Sequence, residues 1–349
     1  MPVTDRESWQ TGNVNTLVGI IPRVATRLNT ADRFGTIMVR IGLRRMSYTI
    51  EPGLYAVGTP SAESPVFISA NYKLSFDCLR NSLDGIDGWI LVIDTKGINV
   101  WCAAGKGTFG TDEIVHRIKI TRLSEVVSHR RIILPQLGAP GVASHEVRKR
   151  SSFSVTYGPV RARDIHQFLV AGMKTTQEMR RVSFDIGDRL VLIPLELTQW
   201  GRYALFVAVG LFLLAGIGRE GYSFPGLIGV REAFLFLLTV LVSGTLVPAF
   251  LPWLPGRALS LKGMSVGLIL AGLLVTLKVI PFTRITGQLE TVAWMLMIPA
   301  ISAFMAMNFT GSTTYTSLSG VKKEMRFAVP LQIIFITLGL GLWMAARFF

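Results

Sequence analysis

The stretch Asn99-Val100-Trp101-Cys102-Ala103-Ala104-Gly105-Lys106 lies between a predicted strand and a predicted helix. It follows the apolar run Trp89 to Asp94, and it leads into a glycine-rich run, Gly105 to Gly110, and a helix pattern that opens at Thr111. Backbone N–H groups and the helix dipole at a helix N-terminus favour negative charge. We therefore expect Cys102 to be a thiolate, the form that attacks electrophiles and binds soft metals. The alternative is that Cys102 is a small buried hydrophobic residue.

The region around this stretch has the pattern of an α/β fold. Short apolar runs, typical of parallel strands that are buried on both faces, alternate with helix patterns. This alternation predicts a Rossmann-like, mostly parallel sheet covered by helices. The predicted strands are Val66–Ser69, Trp89–Ile93, Ile132–Leu134, Phe153–Tyr157 and Leu190–Leu195, and the predicted helices lie near residues 72–83, 111–127, 145–150 and 161–171.

The first sixty residues have a weaker pattern. Met1 to about Thr30 is predicted to be irregular or partly ordered, and Thr36 to Thr49 has a strand-rich composition. The second segment carries Arg40, Arg44 and Arg45, which are compatible with a position near a membrane surface. We therefore predict an N-terminal lead over residues 1–60, followed by an α/β domain over residues 61–199.

Loops at the carboxyl ends of the predicted strands are the expected ligand-binding positions in such a sheet. Cys102 follows one strand, and two loops with glycine and proline, residues 136–142 and 157–159, follow others. Gly105-x-Gly107-x-x-Gly110 also matches the dinucleotide-binding fingerprint. However, the next strand ends in Pro135-Gln136, with no acidic residue to bind a ribose hydroxyl. We expect the glycines to let the backbone approach a bulky planar ligand.

Composition and charge indicate a membrane-associated protein rather than a soluble nucleic-acid-binding protein. Half of the residues are apolar and the mean hydropathy is +0.45, which is high for a soluble protein. The formal net charge of +14 would suit nucleic acid, but no nucleic-acid-binding motif accompanies it, and basic residues also hold domains at anionic membrane surfaces. The two cysteines, Cys78 and Cys102, are too few for a four-cysteine iron–sulfur or zinc site within this sequence. We expect Cys78 to be structural, because it lies off the apolar stripe of its helix.

Residues 200–349 carry five apolar segments, each close to the roughly 20 residues that a membrane span needs. We predict a transmembrane domain of five helices; the alternative is one buried helical core. Because Met1 to Asn29 lacks an apolar stretch, we expect no cleavable signal peptide, and we place the α/β domain in the cytoplasm and the chain in the cytoplasmic membrane. No segment carries an acid or base at its centre, which argues against a transporter. The segments are 203–217, 233–251, 265–280, 291–309 and 327–344.

The run from Ile98 to Phe109 resembles the signature of the HgcA family, the membrane-anchored corrinoid proteins of mercury methylation. Pro65 to Glu196 is also similar to the corrinoid domain of the corrinoid iron–sulfur protein of acetyl-CoA synthesis. The resemblance implies a methyltransferase that passes a methyl group from a cobalamin-type corrinoid to Hg(II), with Cys102 as the thiolate ligand of cobalt and the base of the cofactor displaced. It implies cofactor contacts by Asn99, Val100, Trp101, Cys102, Ala103, Ala104, Gly105, Lys106, Gly107, Gln136, Gly138, Gly141, Tyr157 and Gly158.

The resemblance also implies partners. These are a ferredoxin-like protein with two [4Fe-4S] clusters, HgcB in the family, as the electron donor, and a methyl donor of the methyltetrahydrofolate type. We expect Asn99 and a buried Trp101 to orient the turn at Cys102, and Lys106 to help keep the sulfur anionic. Two alternatives stay open: a corrinoid methyl carrier of acetyl-CoA synthesis, and a membrane-anchored dinucleotide-binding protein.

Three weaker sequence patterns do not by themselves indicate a function. Asp164-x-His166 is close to a cobalt-ligand motif, but Leu169 replaces its glycine, so we interpret the match as chance. The hydroxyl-rich stretch 310–319 is either a polar loop or a feature of the family. Four methionines at 295, 297, 305 and 307 favour helix packing over the passage of a soft metal.

Overall fold

A computed structural model describes residues 7–282, 285–309 and 318–349 of the chain. The chain divides into two units, Met1–Val182 and Ser183–Phe349. The first unit is an α/β structure and the second is helical, in agreement with the predicted fold class.

In the described part of the first unit, seven strands form one mixed sheet. They are β1 (Gln10–Thr16), β2 (Gly19–Val24), β3 (Gly53–Val57), β4 (Val66–Ala70), β5 (Gly88–Ile93), β6 (Arg131–Leu134) and β7 (Ser154–Tyr157). Their order is β1-β2-β3-β5-β4-β6-β7. The pairs within β5-β4-β6-β7 are parallel, whereas β1–β2 and β3–β5 are antiparallel. The predicted parallel sheet therefore describes the half that contains β4 to β7.

Helices cover both faces of the sheet, and the bounds of the helices in this unit are α1 (Thr30–Arg40), α2 (Lys73–Asn81), α3 (Val100–Lys106), α4 (Thr111–Ile120), α5 (Leu123–Val126), α6 (Ser144–Ser151), α7 (Ile165–Val170) and α8 (Gln177–Arg180). Two short 3₁₀ helices, Gln136–Gly141 and Ala162–Asp164, lie in the loops after β6 and β7. One apolar cluster joins the sheet to α3, α4 and α6, and the other joins it to α2 and α7. The central strands are apolar on both sides because both of their faces are buried.

The connections of the parallel strands define where a ligand can bind. The chain passes from β4 through α2, on one face of the sheet, to β5; it then passes through α3 and α4, on the other face, to β6. The chain then passes from β6 through α6, on the same face as α3 and α4, to β7, so the neighbouring strands β4 and β6 are followed by helices on opposite faces of the sheet. This is a topological switch point, and the crevice beyond its carboxyl ends is the usual ligand site of open α/β sheets.

The N-terminal residues differ from the prediction. Gln10 to Val24 forms the antiparallel hairpin β1–β2, which extends the sheet instead of being irregular. The segment expected to be strand-rich, Thr36 to Thr49, forms the end of helix α1 and the turn that follows it, and Asn29 begins this helix by a capping box with Asp32. A capping box satisfies two backbone donors at once and sets the start of a helix. This local signal outweighs the composition of the residues that follow.

Four buried charged residues fix α1 to α2. The Asp32 carboxylate lies 2.7 Å from Lys73 Nζ and 2.7 Å from Arg80 Nη2, and Asp77 contacts the same two cations at 2.7 and 2.8 Å. Burial acts to raise the pKa of Asp32, but the hydrogen bonds from Lys73 and Arg80 outweigh it and hold this pKa below its ordinary value. Each charge therefore has two opposite partners, and removal of one member leaves others buried and unpaired.

We expect Asp32→Asn to destabilise the packing of α1 by about 3–5 kcal/mol, because it breaks a buried charge network. Since the folded-state pKa is lowered, this stabilisation is present above the pKa of an unfolded aspartate and is lost as the pH falls through the folded value. Hydrogen exchange of the α1 and α2 amides measures it. Asp112→Asn is the control, because the exposed Asp112–Arg150 pair should contribute at most ~1 kcal/mol. Equal effects of the two substitutions would contradict the prediction.

The described part of the second unit is mainly helical. Its helices are α9 (Ile186–Leu190), α10 (Ile193–Leu214), α11 (Gly226–Phe250), α12 (Leu259–Thr276), α13 (Ile285–Asn308) and α14 (Leu318–Ala345). Two strands of two residues each, β8 (Ile217–Gly218) and β9 (Gly221–Tyr222), pair between α10 and α11. Among the described residues, five helical stretches are long and apolar enough to cross a membrane. The predicted strand Leu190–Leu195 is wrong, since these residues lie in α9 and α10. A short apolar run does not distinguish a buried strand from a helix, and here Pro194 lies in the first turn of α10.

The helices of this unit begin before the apolar segments and take in acidic residues. Glu232 of α11 is fully buried, and its Oε2 accepts hydrogen bonds from Trp294 Nε1 (2.9 Å) and Trp343 Nε1 (2.8 Å). Its Oε1 pairs with Arg231 and lies 3.2 Å from Arg347. Because Glu232 lies just outside the predicted apolar segment 233–251, the sequence analysis did not predict this buried ion cluster. Most of the hydroxyl-rich stretch, residues 310–317, lies outside the described residues.

Candidate functional site

Helix α3 carries Cys102 at the carboxyl edge of the sheet. Asn99 caps the helix, and its Oδ1 accepts a hydrogen bond of 2.9 Å from the backbone N–H of Cys102. The side chains alternate in exposure along the helix: Ala103 and Ala104 are buried against the sheet, whereas Cys102 is exposed. The interpretation of Cys102 as a buried hydrophobic residue is therefore wrong.

The outer side of α3 is a continuous exposed strip that contains Trp101, Cys102, Gly105 and Lys106. Trp101 is 45% exposed, so the expectation that it is a buried aromatic is wrong. An ideal Cβ placed on Gly105 would have no atom within 4 Å, apart from the helix's own backbone and the two neighbouring residues. The space above this strip is open, which leaves the Cys102 sulfur accessible to a large ligand.

A polar residue that sequence reasoning missed holds the loop in front of α3. Asn71, directly after β4, accepts hydrogen bonds through Oδ1 from Thr95 N (3.0 Å), Thr95 Oγ1 (2.9 Å) and Gly97 N (3.1 Å). On the other side, Glu113 of α4 accepts from the backbone N–H of Asp94 at 2.9 Å. A polar residue that follows an apolar strand was the available signal in the sequence. These bonds tie the start of α3 to β4 and α4.

The loop after β6 packs against α3. An ideal Cβ on Gly141 would overlap the carbonyl oxygen of Phe109 and would lie 3.0 Å from the Cα of Ala104. A Cβ on Gly138 would overlap the ring of Phe109. Gly141 therefore allows the loop to pack on the backbone of α3, and Gly138 allows it to pack on the Phe109 ring, while the predicted cofactor contact of both glycines stays a prediction.

Other glycines separate α3 from α4. Gly107 ends α3 with a φ of +81°, and Gly110 is the N-cap of α4. In a dinucleotide-binding fold the first glycine follows the strand directly, whereas here the first glycine of the motif, Gly105, lies inside α3. The dinucleotide-binding alternative is therefore not supported by the local structure.

A cavity of about 300 Å³ opens at the switch point, next to the N-terminal end of α3. Its walls come from the ends of β4 and β6, from α2, and from the loops after β6 and β7, and most of them are apolar. Of the predicted site residues, Asn99, Val100, Trp101 and Gly158 line it. Gln136 lies in the neighbouring 3₁₀ helix, and Tyr157 donates a hydrogen bond of 3.0 Å to the carbonyl of Val142, which holds the loop closed.

Cys78 of α2 also lines this cavity, although the sequence analysis treats it as structural. Its side chain is exposed, yet the surrounding protein excludes enough water to raise the pKa of its thiol. Tyr72 lies in the same region: burial raises the pKa of its hydroxyl, the charges of Arg45 and Arg40 oppose this rise, and Cys102 adds to it. Arg40, Arg45 and Cys102 therefore act on one side chain at this edge of the sheet.

The described side chains at this edge of the sheet do not supply a complete set of ligands for a metal ion. Among residues 7–282, 285–309 and 318–349, no group of three or more His, Cys, Asp or Glu side chains could hold a metal ion. His166, the weak cobalt-ligand candidate, lies in α7 rather than in α3. Cys102 offers a single soft donor, which would need further ligands from a cofactor.

Comparison with known proteins finds similarity over part of the chain. A family model described as "CO dehydrogenase/acetyl-CoA synthase delta subunit" matches residues 8–169. The match lies within the first unit. It begins well before the region of resemblance seen from the sequence, so it takes in the hairpin β1–β2 and helix α1.

Relatives with a related description match about a third of the chain. The acetyl-CoA decarbonylase/synthase complex subunit gamma of Archaeoglobus fulgidus is 32% identical over 133 residues, which are 36% of this chain and 28% of that protein. The subunit of the same name from Methanopyrus kandleri is 31% identical over 122 residues, 34% and 26% of the two chains. That from Methanocaldococcus jannaschii is 35% identical over 112 residues, 30% and 23%. The chain thus spans about a quarter of the length of the curated relatives it matches.

Proposed function

We propose that the first unit binds a corrinoid over the exposed strip of α3 and carries a methyl group on it, with Cys102 as the protein ligand of cobalt. The observation that carries this proposal is the accessible sulfur of Cys102 on a fixed turn at the topological switch point of the sheet. The similarity to subunits of acetyl-CoA synthase and acetyl-CoA decarbonylase/synthase complexes supports the same class of chemistry.

The residues at this edge fit such a group. A corrin ring supplies four nitrogen ligands in a plane, so one sulfur from the protein is sufficient to complete a face of the metal. The open space above Gly105 leaves room for a planar macrocycle. Beside it, the largely apolar cavity of about 300 Å³ is suited to the base of the cofactor once that base is displaced from the metal.

The residues of the chain have separable roles in this proposal. Asn99 holds the backbone of Cys102, which fixes the direction from which the sulfur meets a ligand. Asn71 and Glu113 hold the preceding loop and limit its movement. Lys106 lies exposed on the same side of α3 and adds positive charge near the sulfur. A bound corrinoid supplies a metal centre that accepts and passes on a methyl group.

We further propose that the methyl acceptor is Hg(II), as the resemblance of Ile98 to Phe109 to the HgcA family implies. A thiolate donates more electron density to a metal than a neutral ligand does, which favours transfer to an electrophile. A methyl group that leaves for Hg(II) with its bonding electrons would leave the corrinoid oxidised, and two low-potential electrons would be needed before it could accept another methyl group. The two cysteines are too few for a four-cysteine iron–sulfur cluster within this sequence, so we propose a separate ferredoxin-like protein of the HgcB type as the electron donor. A methyltetrahydrofolate-type donor would supply the methyl group.

The membrane assignment belongs to the same proposal. The five apolar helical stretches are long enough to cross a membrane. We propose that this is the cytoplasmic membrane and that the first unit lies in the cytoplasm. The second candidate function is a methyl carrier of acetyl-CoA synthesis, which the names of the curated relatives favour. The two candidates share the corrinoid and differ in the acceptor of the methyl group.

A transfer assay on the full chain in detergent separates them. We expect the protein to retain methylcobalamin through gel filtration, and its methylated form to convert Hg(II) to methylmercury in a single turnover. In a parallel assay, purified acetyl-CoA synthase with CO and coenzyme A tests the other acceptor. Acetyl-CoA formation without methylmercury would overturn the Hg(II) proposal, and failure to retain any corrinoid would overturn both.

A further inference from the structure

Helix α1 and the turn after it carry exposed apolar side chains that do not line the cavity at the corrinoid site. Four large apolar side chains on it are exposed by half or more: Phe34 (63%), Ile37 (56%), Leu43 (50%) and Met46 (72%). Several exposed apolar side chains in one place often mark an interaction site, whereas single exposed apolar residues are normal on protein surfaces. We call this the α1 surface; it comprises these four residues together with Arg33, Arg40, Arg44 and Arg45.

The helix presents this surface in a fixed direction. Asp32 and Val39 are buried and face the rest of the unit, while Phe34 and Ile37 lie on the opposite side. The capping box at Asn29 and the ion pairs of Asp32 hold α1 in this orientation. The apolar side is therefore presented outward by rigid packing.

The charge of the surface has one sign. Residues 33–50 contain four arginines and no lysine, histidine or acidic residue. Arg33 and Arg40 flank the exposed apolar side of the helix, and both are exposed. The acid of the helix, Asp32, is already paired within the unit and does not neutralise them. An apolar strip flanked by arginine is the composition of helices that lie in the interface of a membrane.

We propose that the α1 surface binds the surface of an anionic lipid bilayer. Phe34, Ile37, Leu43 and Met46 would enter the boundary between headgroups and acyl chains, and the arginines would contact lipid phosphates. This inference rests on the proposed membrane assignment: five stretches of the same chain are long enough to span a membrane, and spans there would hold a bilayer near this surface at high effective concentration. An acidic soluble protein would use the arginines but would leave the apolar side chains without a defined partner.

The test measures the environment of the surface in the full chain. In a Cys78→Ser, Cys102→Ser background, Ile37→Cys is labelled with an environment-sensitive fluorophore and the protein is placed in nanodiscs of phosphatidylcholine alone or with phosphatidylglycerol. The control label is at Ile120→Cys, an isoleucine of similar exposure (59%) on α4. Spin-labelled lipid serves as the quencher.

We expect the label at position 37 to shift to the blue and to be quenched by the lipid in nanodiscs with phosphatidylglycerol, while the label at 120 stays in water. Each arginine near an anionic surface raises partitioning about five-fold, so Arg33→Gln, Arg40→Gln and Arg44→Gln together should remove the effect, and lysine at these positions should retain it. A label at 37 that stays in water in both nanodiscs would overturn the proposal and leave the surface to a protein partner. A blue shift of the label at position 37 that is the same with and without phosphatidylglycerol, and that is unchanged by the arginine substitutions, would also overturn the proposal.

Discussion

Replacement of Cys102 by alanine is expected to abolish methyl transfer to Hg(II) and to leave the fold unchanged. The side chain is exposed, and the hydrogen bond that fixes its position uses the backbone N–H, which alanine retains. Only the sulfur is lost. Loss of residues that merely support a metal ligand typically costs 10–100-fold, so loss of the ligand itself should lower the rate by at least ~100-fold.

Two further substitutions at this position separate coordination from shape. Cys102→Ser has nearly the same shape, but a hydroxyl is neutral at pH 7 and is a poor donor to cobalt. Cys102→His supplies a ligand that donates less electron density than a thiolate. We expect Ser to behave like Ala, and His to restore coordination better than it restores transfer to Hg(II).

The measurement is the visible spectrum of the oxidised corrinoid bound to each variant, together with the yield of methylmercury. A cobalt–sulfur bond should add charge-transfer absorption in the wild-type protein that Cys102→Ala lacks. Cys78→Ala is the matched control for thiol loss: it alters a wall of the cavity but should keep the absorption. If the wild-type protein and Cys102→Ala gave the same spectrum and rate, cobalt would not be bound through this sulfur.

The parts of the site that the sequence predicts are those that depend on neighbouring residues. Strand β5 and helix α4 follow from a local apolar run and from helical spacing, whereas helix α3, which carries Cys102, is not among the predicted helices. The exposed position of Cys102 is a finding of the structure, because it depends on helix α3, in which Ala103 and Ala104 take the buried side. Local rules of this kind hold where tertiary contacts agree with them.

Contacts between distant segments decide the rest. Asn71 and Glu113 come together with the loop before α3 only once β4, β5 and α4 are packed, so a single sequence gives little sign of their role. Trp101 is an aromatic in an apolar run, yet the helix turns its side chain outward. In α1, the strand-rich composition conflicts with the capping box and with the ion pairs of Asp32, and the tertiary contacts determine the outcome.

Substitution of two glycines at the site is expected to have opposite effects on stability, because Gly141 is closely surrounded by backbone and Gly105 faces open space. Gly141→Ala should force the loop after β6 away from α3, since its Cβ would overlap the backbone oxygen of Phe109 and meet the backbone of Ala104. Overpacking of this kind typically costs about 1–3 kcal/mol. Gly105→Ala meets no atom and should stabilise α3 by up to ~1 kcal/mol, because glycine is a poor residue inside a helix.

A larger residue at position 105 then tests where the cofactor lies. Gly105→Phe projects into open space, so the thermal unfolding of the protein should stay close to that of the Gly105→Ala variant. If a corrinoid occupies the space above α3, the phenyl ring takes its place, and corrinoid retention through gel filtration should fall by at least ten-fold, about 1.4 kcal/mol. Lys119→Phe, a substitution at an exposed position of α4, is the control and should retain the corrinoid. Full retention by Gly105→Phe would place the cofactor away from this strip, and Cys102 could not then be its ligand.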